Sequence, residues 1–468
     1  MFESLENSKI NSSDINLNSF KKVYFIGVGG IGMSAIARWF NANGKQVAGY
    51  DKTNTPLTKK LMEEGISITF EDSESSIPEE FKSDVLVVYT PAIPNNSVIL
   101  NYFKNQGIDL YKRSQVLGMI TEDYLTIAVA GTHGKTTTST MIAHLLHSAE
   151  EECTAFLGGI STNLNSNLLL ANDELEQIVV VEADEFDRSF LTLHPDIAVI
   201  TSTDADHLDI YGESNELMNS FKDFAKKVPQ DGSLIVQDDS ATNFKTNFSY
   251  SKTEGDYKVE NRRVESGIVF FDAKTPNGYV RNIQLNQPGS HNMENALATI
   301  AVAQQLDIPK KKILEAFETY SGVKRRFEYI INTENLVYID DYAHHPTEIN
   351  AFLSSVKELY PDKKLTAIFQ PHLFSRTRDF AEGFSESLSL ADELILLDIY
   401  PARELPIEGI TSQMLLEKVT CKNQLCKKEN VIDLLQSKDD LEVVVTIGAG
   451  DIDSLVEQIK KLKSFTFQ

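Results

Sequence analysis

Two glycine-rich stretches carry the residues most able to do chemistry. The second, "GTHGKTT" at residues 131–137, follows the apolar run "LTIAVA" and opens the helix-like segment "TTTSTMIAHLLHSAEE". Gly131 and Gly134 let backbone N–H groups turn toward a phosphate. Lys135 is long enough to reach β- and γ-phosphates, and the Thr136 hydroxyl can ligate Mg²⁺. Thr132, His133 and Thr137 complete the loop. The first glycine stands three residues before the second, closer than in the common phosphate loop, yet strand, glycines, Gly-Lys-Thr-Thr and amphipathic helix coincide, and the reading is ATP. A metal needs further ligands at neighbouring strand ends. Glu182 follows the apolar residues Ile178 to Val181, and a carboxylate so placed suits a hard cation. The next strand-like run leads into Asp204, Asp206, His207 and Asp209, where a second metal position is expected.

The first stretch, "GVGGIG" at residues 27–32, has Gly27, Gly29 and Gly32 in the G-x-G-x-x-G spacing, and Asp51 ends the following strand-like run. A tight turn, close backbone approach and a helix N-terminus suit a diphosphate beside a hydroxylated sugar. NAD and any other nucleoside diphosphate conjugate satisfy those demands equally. A hydride-transfer enzyme would need a reactive constellation beside Gly29, and none is visible. Two nucleotide loops in one chain therefore point to ATP-driven chemistry on a nucleotide-linked substrate.

These residues need strand ends and helix starts to hold them. Apolar runs alternate with helix-like segments along most of the chain: "KKVYFIGV", "KQVAGYD" and "SDVLVVYTPAI" first, then "LTIAVAG", "QIVVVEAD" and "DIAVITS", then "NLVYIDDYAHHP", "KLTAIFQP", "ELILLDIYP" and "EVVVTIGAG". This rhythm predicts an α/β protein with parallel sheets covered by helices. Residues 230–290 differ; "GSLIVQDD", "SGIVFFDAK" and "GYVRNIQLNQPG" are short and turn-separated, and read as a small antiparallel excursion. Breaks near "KRSQVLGMITEDY" and "YSGVKRRFEYI" predict three domains, at 1–117, 118–322 and 323–468. A chain of 468 residues accommodates three.

The net charge of −24 argues against a nucleic-acid or membrane-surface binder, which needs basic patches. Three cysteines with no metal or disulfide spacing fit reduced thiols in a cytoplasmic protein. The polar first twenty residues lack the apolar core of a signal peptide, and no run is long enough to insert in a membrane.

Several blocks in order resemble the Mur ligases: "GVGGIGMSAIA", "GTHGKTTT", "EADEFD", "DADHLDIYG", "GSHNMENALA", "RRFE", "DDYAHHPTE", "FQPHLFSRTRD" and "TIGAGD". The resemblance implies a Rossmann-like N-terminal domain for a UDP-sugar and a central P-loop ATPase-type domain, with a Rossmann-like C-terminal domain that helps present an amino acid. The implied substrates are UDP-N-acetylmuramate, L-alanine and ATP, with Mg²⁺. The implied reaction activates the lactyl carboxylate as an acyl phosphate, releasing ADP and phosphate, in peptidoglycan precursor synthesis. The expected UDP-sugar contacts are Gly27, Gly29, Gly30, Ile31 and Gly32, with Asp51 and Arg113. The resemblance places Thr136, Glu182 and His207 on Mg²⁺. It puts Asn292 or Asn295 on adenine, Asn295 being favoured. Arg326 and Asp340 are expected to reach ATP, and His344, His345 and Arg376 the substrates, with His345 a candidate base for the attacking amine. A monomer or weak homodimer is expected. Two departures stand out. Leu373 replaces an arginine that many members carry, and "LTLHPD" offers no lysine where several sister ligases carry a carbamylated one.

Overall fold

The computed structural model describes residues 16–172, 178–203, 214–265, 268–402 and 404–462. The first sheet has strands β1 (Lys22–Ile26), β2 (Gln46–Tyr50), β3 (Ser67–Thr69), β4 (Leu86–Tyr89) and β5 (Leu110–Lys112), in the order β3-β2-β1-β4-β5. All four pairings are parallel. Val23 to Ile26 are completely buried, as a strand covered by helices on both faces must be. The order reverses beside β1, and the glycine loop leaves β1 at that switch point, where open α/β sheets place their ligands.

The second sheet contains β6 (Leu125–Ala130), β7 (Cys153–Ser161), β8 (Ser166–Leu169), β9 (Ile178–Ala183), β10 (Ile197–Ile200), β11 (Ser233–Gln237), β12 (Phe248–Ser251), β13 (Tyr257–Glu265), β14 (Ile268–Thr275) and β15 (Gly278–Leu285). Its order is β15-β14-β13-β12-β11-β10-β6-β9-β7-β8. The expected excursion is smaller than the sequence suggested. "GSLIVQDD" is β11 and pairs parallel with β10, because the helix Ser214–Ala225 provides the crossover a parallel neighbour needs. β12 continues in parallel, and at this edge the sheet turns back on itself from β13 to β15, where the two-residue link between β14 and β15 permits only antiparallel neighbours. A second antiparallel pair, β7 with β8, lies at the far edge.

The third sheet has β16 (Glu328–Asn332), β17 (Val337–Asp341), β18 (Leu365–Phe369), β19 (Glu393–Leu396), β20 (Lys422–Leu425) and β21 (Val443–Ile447), ordered β16-β17-β21-β18-β19-β20. It is parallel except for β16, which runs against β17. Two compact units result: one from Met1–Glu260, Phe271–Ile283 and Met293–Tyr320, the other from Asn261–Phe270, Gln284–Asn292 and Ser321–Gln468.

Within the first unit a buried polar network ties the first sheet's leading helix, Ile31–Ala42, to β8. Arg38 donates to both carboxylate oxygens of Glu64, at 2.6 and 3.0 Å, and to the Asn167 side chain. Asn167 in turn donates to the Ile31 carbonyl at 2.6 Å and to Ser34 Oγ at 2.9 Å. Arg38, Asn167 and Ser34 are buried, so losing a bond among them would strand a partner, at about 1–3 kcal/mol, whereas Glu64 remains in contact with water. Among the described residues no helix is long and apolar enough to cross a membrane.

Candidate active site

β6 delivers the chain into the second glycine loop, and β10 braces it. Gly131 has φ +136°, and a Cβ there would lie 2.1 Å from Thr201 Oγ1, so the end of β10 allows only glycine. Thr132 donates its N–H to the Ser202 carbonyl at 3.1 Å, and the two side-chain hydroxyls meet at 2.5 Å. Thr201 Oγ1 bonds the Ala130 carbonyl at 3.1 Å and also the His133 carbonyl. Gly134, at φ +82°, caps the helix Lys135–Ala149 without any side-chain acceptor, so no cap side chain claims the first-turn N–H groups that phosphates use.

Lys135 Nζ donates to the Gly131 carbonyl at 2.6 Å and to Glu185 Oε1 and Oε2 at 2.8 and 2.7 Å. Glu185 is fully buried; burial raises its pKa, while the Lys135 charge and its hydrogen bonds pull the other way. Glu182, on β9 beside β6, has Oε2 buried without a hydrogen-bond partner among the described residues. The neighbouring β7 makes room for that carboxylate with Gly158, where a Cβ would lie 2.1 Å from Glu182 Oε2. Thr136 is buried at the helix start. Asn295, on the helix Ser290–Gln305, lies against the same loop. Its Oδ1 accepts from Thr138 at 3.1 Å and would be 2.7 Å from a Cβ on Gly134. Asn292 instead donates to the Pro288 carbonyl at 2.7 Å, a local bond at the helix entry. His207, with Asp204, Asp206 and Asp209, lies outside the described residues.

The first loop is braced differently. A Cβ on Gly27, at φ +92°, would meet Thr90 Cγ2 at 2.8 Å. Asp51 uses Oδ2 to accept the Gly29 N–H at 2.8 Å and Oδ1 to accept the Thr53 N–H at 3.0 Å, so both oxygens hold backbone. Gly30 caps the helix Ile31–Ala42 with no side-chain bond. Arg113 lies across Gly32, with Nη1 2.8 Å from where a Cβ would be, and its Nη2 is 3.7 Å from Asp184 Oδ2. The first glycine loop and the acidic end of β9 thus converge on one arginine.

In the second unit, the residue beside Asp340 is Arg325, not Arg326. Arg325 Nε lies 3.3 Å from Asp340 Oδ2, and its guanidinium also bonds the Gly448 carbonyl and stacks over Tyr342 at 5.1 Å. Arg325 lies in the turn closed by the Val323–Arg326 bridge, with φ +61°, which directs its side chain to Asp340, whereas Arg326 is exposed. Asp340 is 1% exposed and accepts from Thr446 Oγ1; burial pushes its pKa up to about 6 although Arg325 opposes the rise. The Asp340 carboxylate is therefore engaged inside its own sheet. His345 N-caps the helix Pro346–Leu359: its Nδ1 accepts the Thr347 N–H at 3.4 Å, while Glu348 reaches back to the His345 N–H at 3.3 Å. His344 faces a different cluster, with Tyr342 and His372 at ring distances of 5.4 and 6.2 Å. Burial lowers the pKa of both His344 and His372, to about 4 for His372, and the Arg376 charge lowers both further. His372 stacks on Tyr400, and its Nδ1 is buried without a partner among the described residues. Leu373 holds φ +70°, a left-handed conformation unusual for a branched side chain, at the start of the helix Phe374–Asp379.

Sequence reasoning missed Glu185, Arg325 and His372. The signal for Glu185 was its place three residues beyond Glu182, but an acidic residue past a strand end reads as solvated loop. His372 stands inside "PHLFSR", where the resemblance points to Arg376 instead.

Three family models match along the chain: "Mur ligase family, catalytic domain" over residues 22–125, "Mur ligase middle domain" over 129–303 and "Mur ligase, glutamate ligase domain" over 325–450. The chain belongs to the Mur ligase family. It is 50% identical over 450 residues to the UDP-N-acetylmuramate–L-alanine ligase of Christiangramia forsetii, covering 95% of this chain and 98% of the relative. It is likewise 50% identical over 450 residues to the enzyme of that name from Flavobacterium johnsoniae, covering 96% and 99%. The solved UDP-N-acetylmuramate–alanine ligase of Thermotoga maritima superposes with a TM-score of 0.81 at 28% identity, covering 94% of this chain and 98% of that one. A murein peptide ligase from Psychrobacter arcticus shares the fold, with a TM-score of 0.65 at 23% identity.

Proposed function

We propose that this chain joins L-alanine to the lactyl carboxylate of UDP-N-acetylmuramate, using ATP and yielding ADP and phosphate, as a cytoplasmic step in peptidoglycan precursor synthesis. One observation carries the reading: a lysine-bearing phosphate loop and a carboxylate with one buried oxygen that has no partner among the described residues stand at adjacent strand ends, and Arg113 links that end to the first glycine loop. Half of all aligned residues agree with relatives of that name over nearly the whole chain.

An amide cannot form from a carboxylate at a useful rate without activation. The γ-phosphoryl group passes to an oxygen of the lactyl carboxylate as its bond to ADP breaks, the alanine amine attacks the carbonyl carbon and gives up a proton, and phosphate departs carrying the phosphorylated oxygen as that carbon–oxygen bond breaks. Two anions must meet for the first step. Lys135 and the N–H groups of the loop offset their repulsion and stabilise the charge that spreads during transfer. Gly27 to Gly32 hold the uridine diphosphate, Asp51 keeps that loop in shape, and Arg113 supplies a cation beside it. Glu182 and Thr136 suit Mg²⁺: Glu182 Oε2 is buried with no hydrogen-bond partner among the described residues, as a carboxylate oxygen reserved for a hard cation would be. Bound there, the ion supplies Lewis-acid neutralisation of phosphate oxygens. His207 is assigned as a further metal ligand. Asn295 is assigned to the adenine side, and Arg326 with Asp340 to the third domain's contribution. His344 and Arg376 are assigned to the substrates, joined by His372. His345 remains the base assigned to the amine through its other ring nitrogen. The functional divisions are taken as 1–117, 118–322 and 323–468.

The test is phosphate release by the whole protein with each substrate omitted in turn. Release should require ATP, UDP-N-acetylmuramate and L-alanine together, with ADP as the other product. AMP and pyrophosphate as stoichiometric products would refute it.

A further inference from the structure

The proposed use of Lys135 leaves its partner without a role. Three acceptors meet its three protons: the Gly131 carbonyl and both oxygens of Glu185. The Lys135 side chain is 13% exposed and that of Glu185 is 0% exposed, so water screens the pair little. Lys135 cannot take up a phosphate oxygen without giving up at least part of this set. Glu185 cannot follow it. Its backbone is pinned just beyond β9, where the Arg188 N–H bonds the Glu185 carbonyl at 3.0 Å and the Phe190 N–H bonds the Asp184 carbonyl at 3.0 Å.

We infer that Glu185 is a positioning residue of the nucleotide site, holding the Lys135 ammonium over the loop and competing with the phosphates of ATP for it. The inference rests on the ATP reading above and adds a second function to the same lysine contact. Two effects of opposite sign follow. Glu185 fixes the direction of a flexible four-carbon side chain, which favours transfer. It also places a fixed negative charge beside the polyphosphate, which weakens binding in the ground state. Neutralising it should therefore tighten ATP and slow the chemical step together. Loss of a merely structural ion pair would lower thermal stability without tightening ATP.

The experiment is calorimetric titration of Mg-ATP into the full chain and into Glu185→Gln, Glu185→Ala and Glu185→Asp, with melting curves and kcat and KM for phosphate release. Both neutral variants should bind ATP about tenfold more tightly, the factor that corresponds to about 1.4 kcal/mol of relieved repulsion. Their KM for ATP and their kcat should fall together. Glu185→Asp keeps the charge and should stay within about twofold of the parent's affinity. If one neutral variant fails to fold, the other decides. The inference fails if the folded neutral variants bind ATP no more tightly than the parent, or if Asp tightens it as much as they do. A parent protein that does not bind ATP at all would instead remove the ATP reading, and this inference with it.

Discussion

The two glycine loops share a backbone plan and differ in what surrounds it. Each leaves a parallel strand, turns on glycines held at positive φ or against a neighbour, and opens a helix whose cap has no side-chain acceptor. Around the first, every carboxylate oxygen of Asp51 is engaged in holding backbone. Around the second stand a half-buried lysine and, on the adjacent strand, a carboxylate oxygen with no partner among the described residues. The backbone plan alone suits a phosphate; a lysine charge held over the loop and a carboxylate oxygen left for a metal are what phosphoryl transfer needs in addition. The first loop therefore reads as a holder and the second as a reactor, although the sequence motif of the first is the more familiar.

The largest expected effect separates the loops most sharply. Lys135→Ala should reduce phosphate release by about 10³-fold, since it removes a charge directed at the transferring group. Its affinity for UDP-N-acetylmuramate should stay as in the parent; a parallel loss there would merge the two sites. Glu182→Ala should lower turnover by about 10²-fold and leave what remains far less responsive to Mg²⁺. Near-parental rates would show the unpartnered oxygen to be incidental.

Gly158→Ala tests the same oxygen without touching it. The added methyl would force the Glu182 carboxylate aside, and the Mg²⁺ concentration for half-maximal rate should rise by about tenfold or more. An unchanged metal requirement would mean the carboxylate has other room. Asp51→Asn weakens the brace of the first loop. The UDP-sugar dissociation constant should rise by about fivefold, one hydrogen bond's worth, with KM for ATP unmoved. If KM for ATP moves instead, the brace belongs to a different function.

Much of this contrast is legible in the amino-acid sequence. Strands such as β1, β6, β9 and β21 are apolar runs bounded by glycine or acid, and their ends are where the named residues fall. Short edge strands were not legible: β3 and β5 have three residues each and no continuous apolar run. β11 was misassigned to the antiparallel part because a strand's partners are set by its crossover helix, not by its own residues. Lys135 and Glu182 could be found from motif and strand end. The Lys135–Glu185 pair depends on how the chain turns after β9, which residue types do not encode. Arg325 and Arg326 are chemically identical in sequence, and only a φ of +61° at Arg325 settles which one faces Asp340.

The most direct test of the contrast between holder and reactor is a pair of calorimetric titrations into the Lys135→Ala protein, one with UDP-N-acetylmuramate and one with NAD. The account predicts saturable binding of the UDP-sugar at parental affinity and no heat from NAD. Micromolar NAD binding with no heat from the UDP-sugar would contradict it.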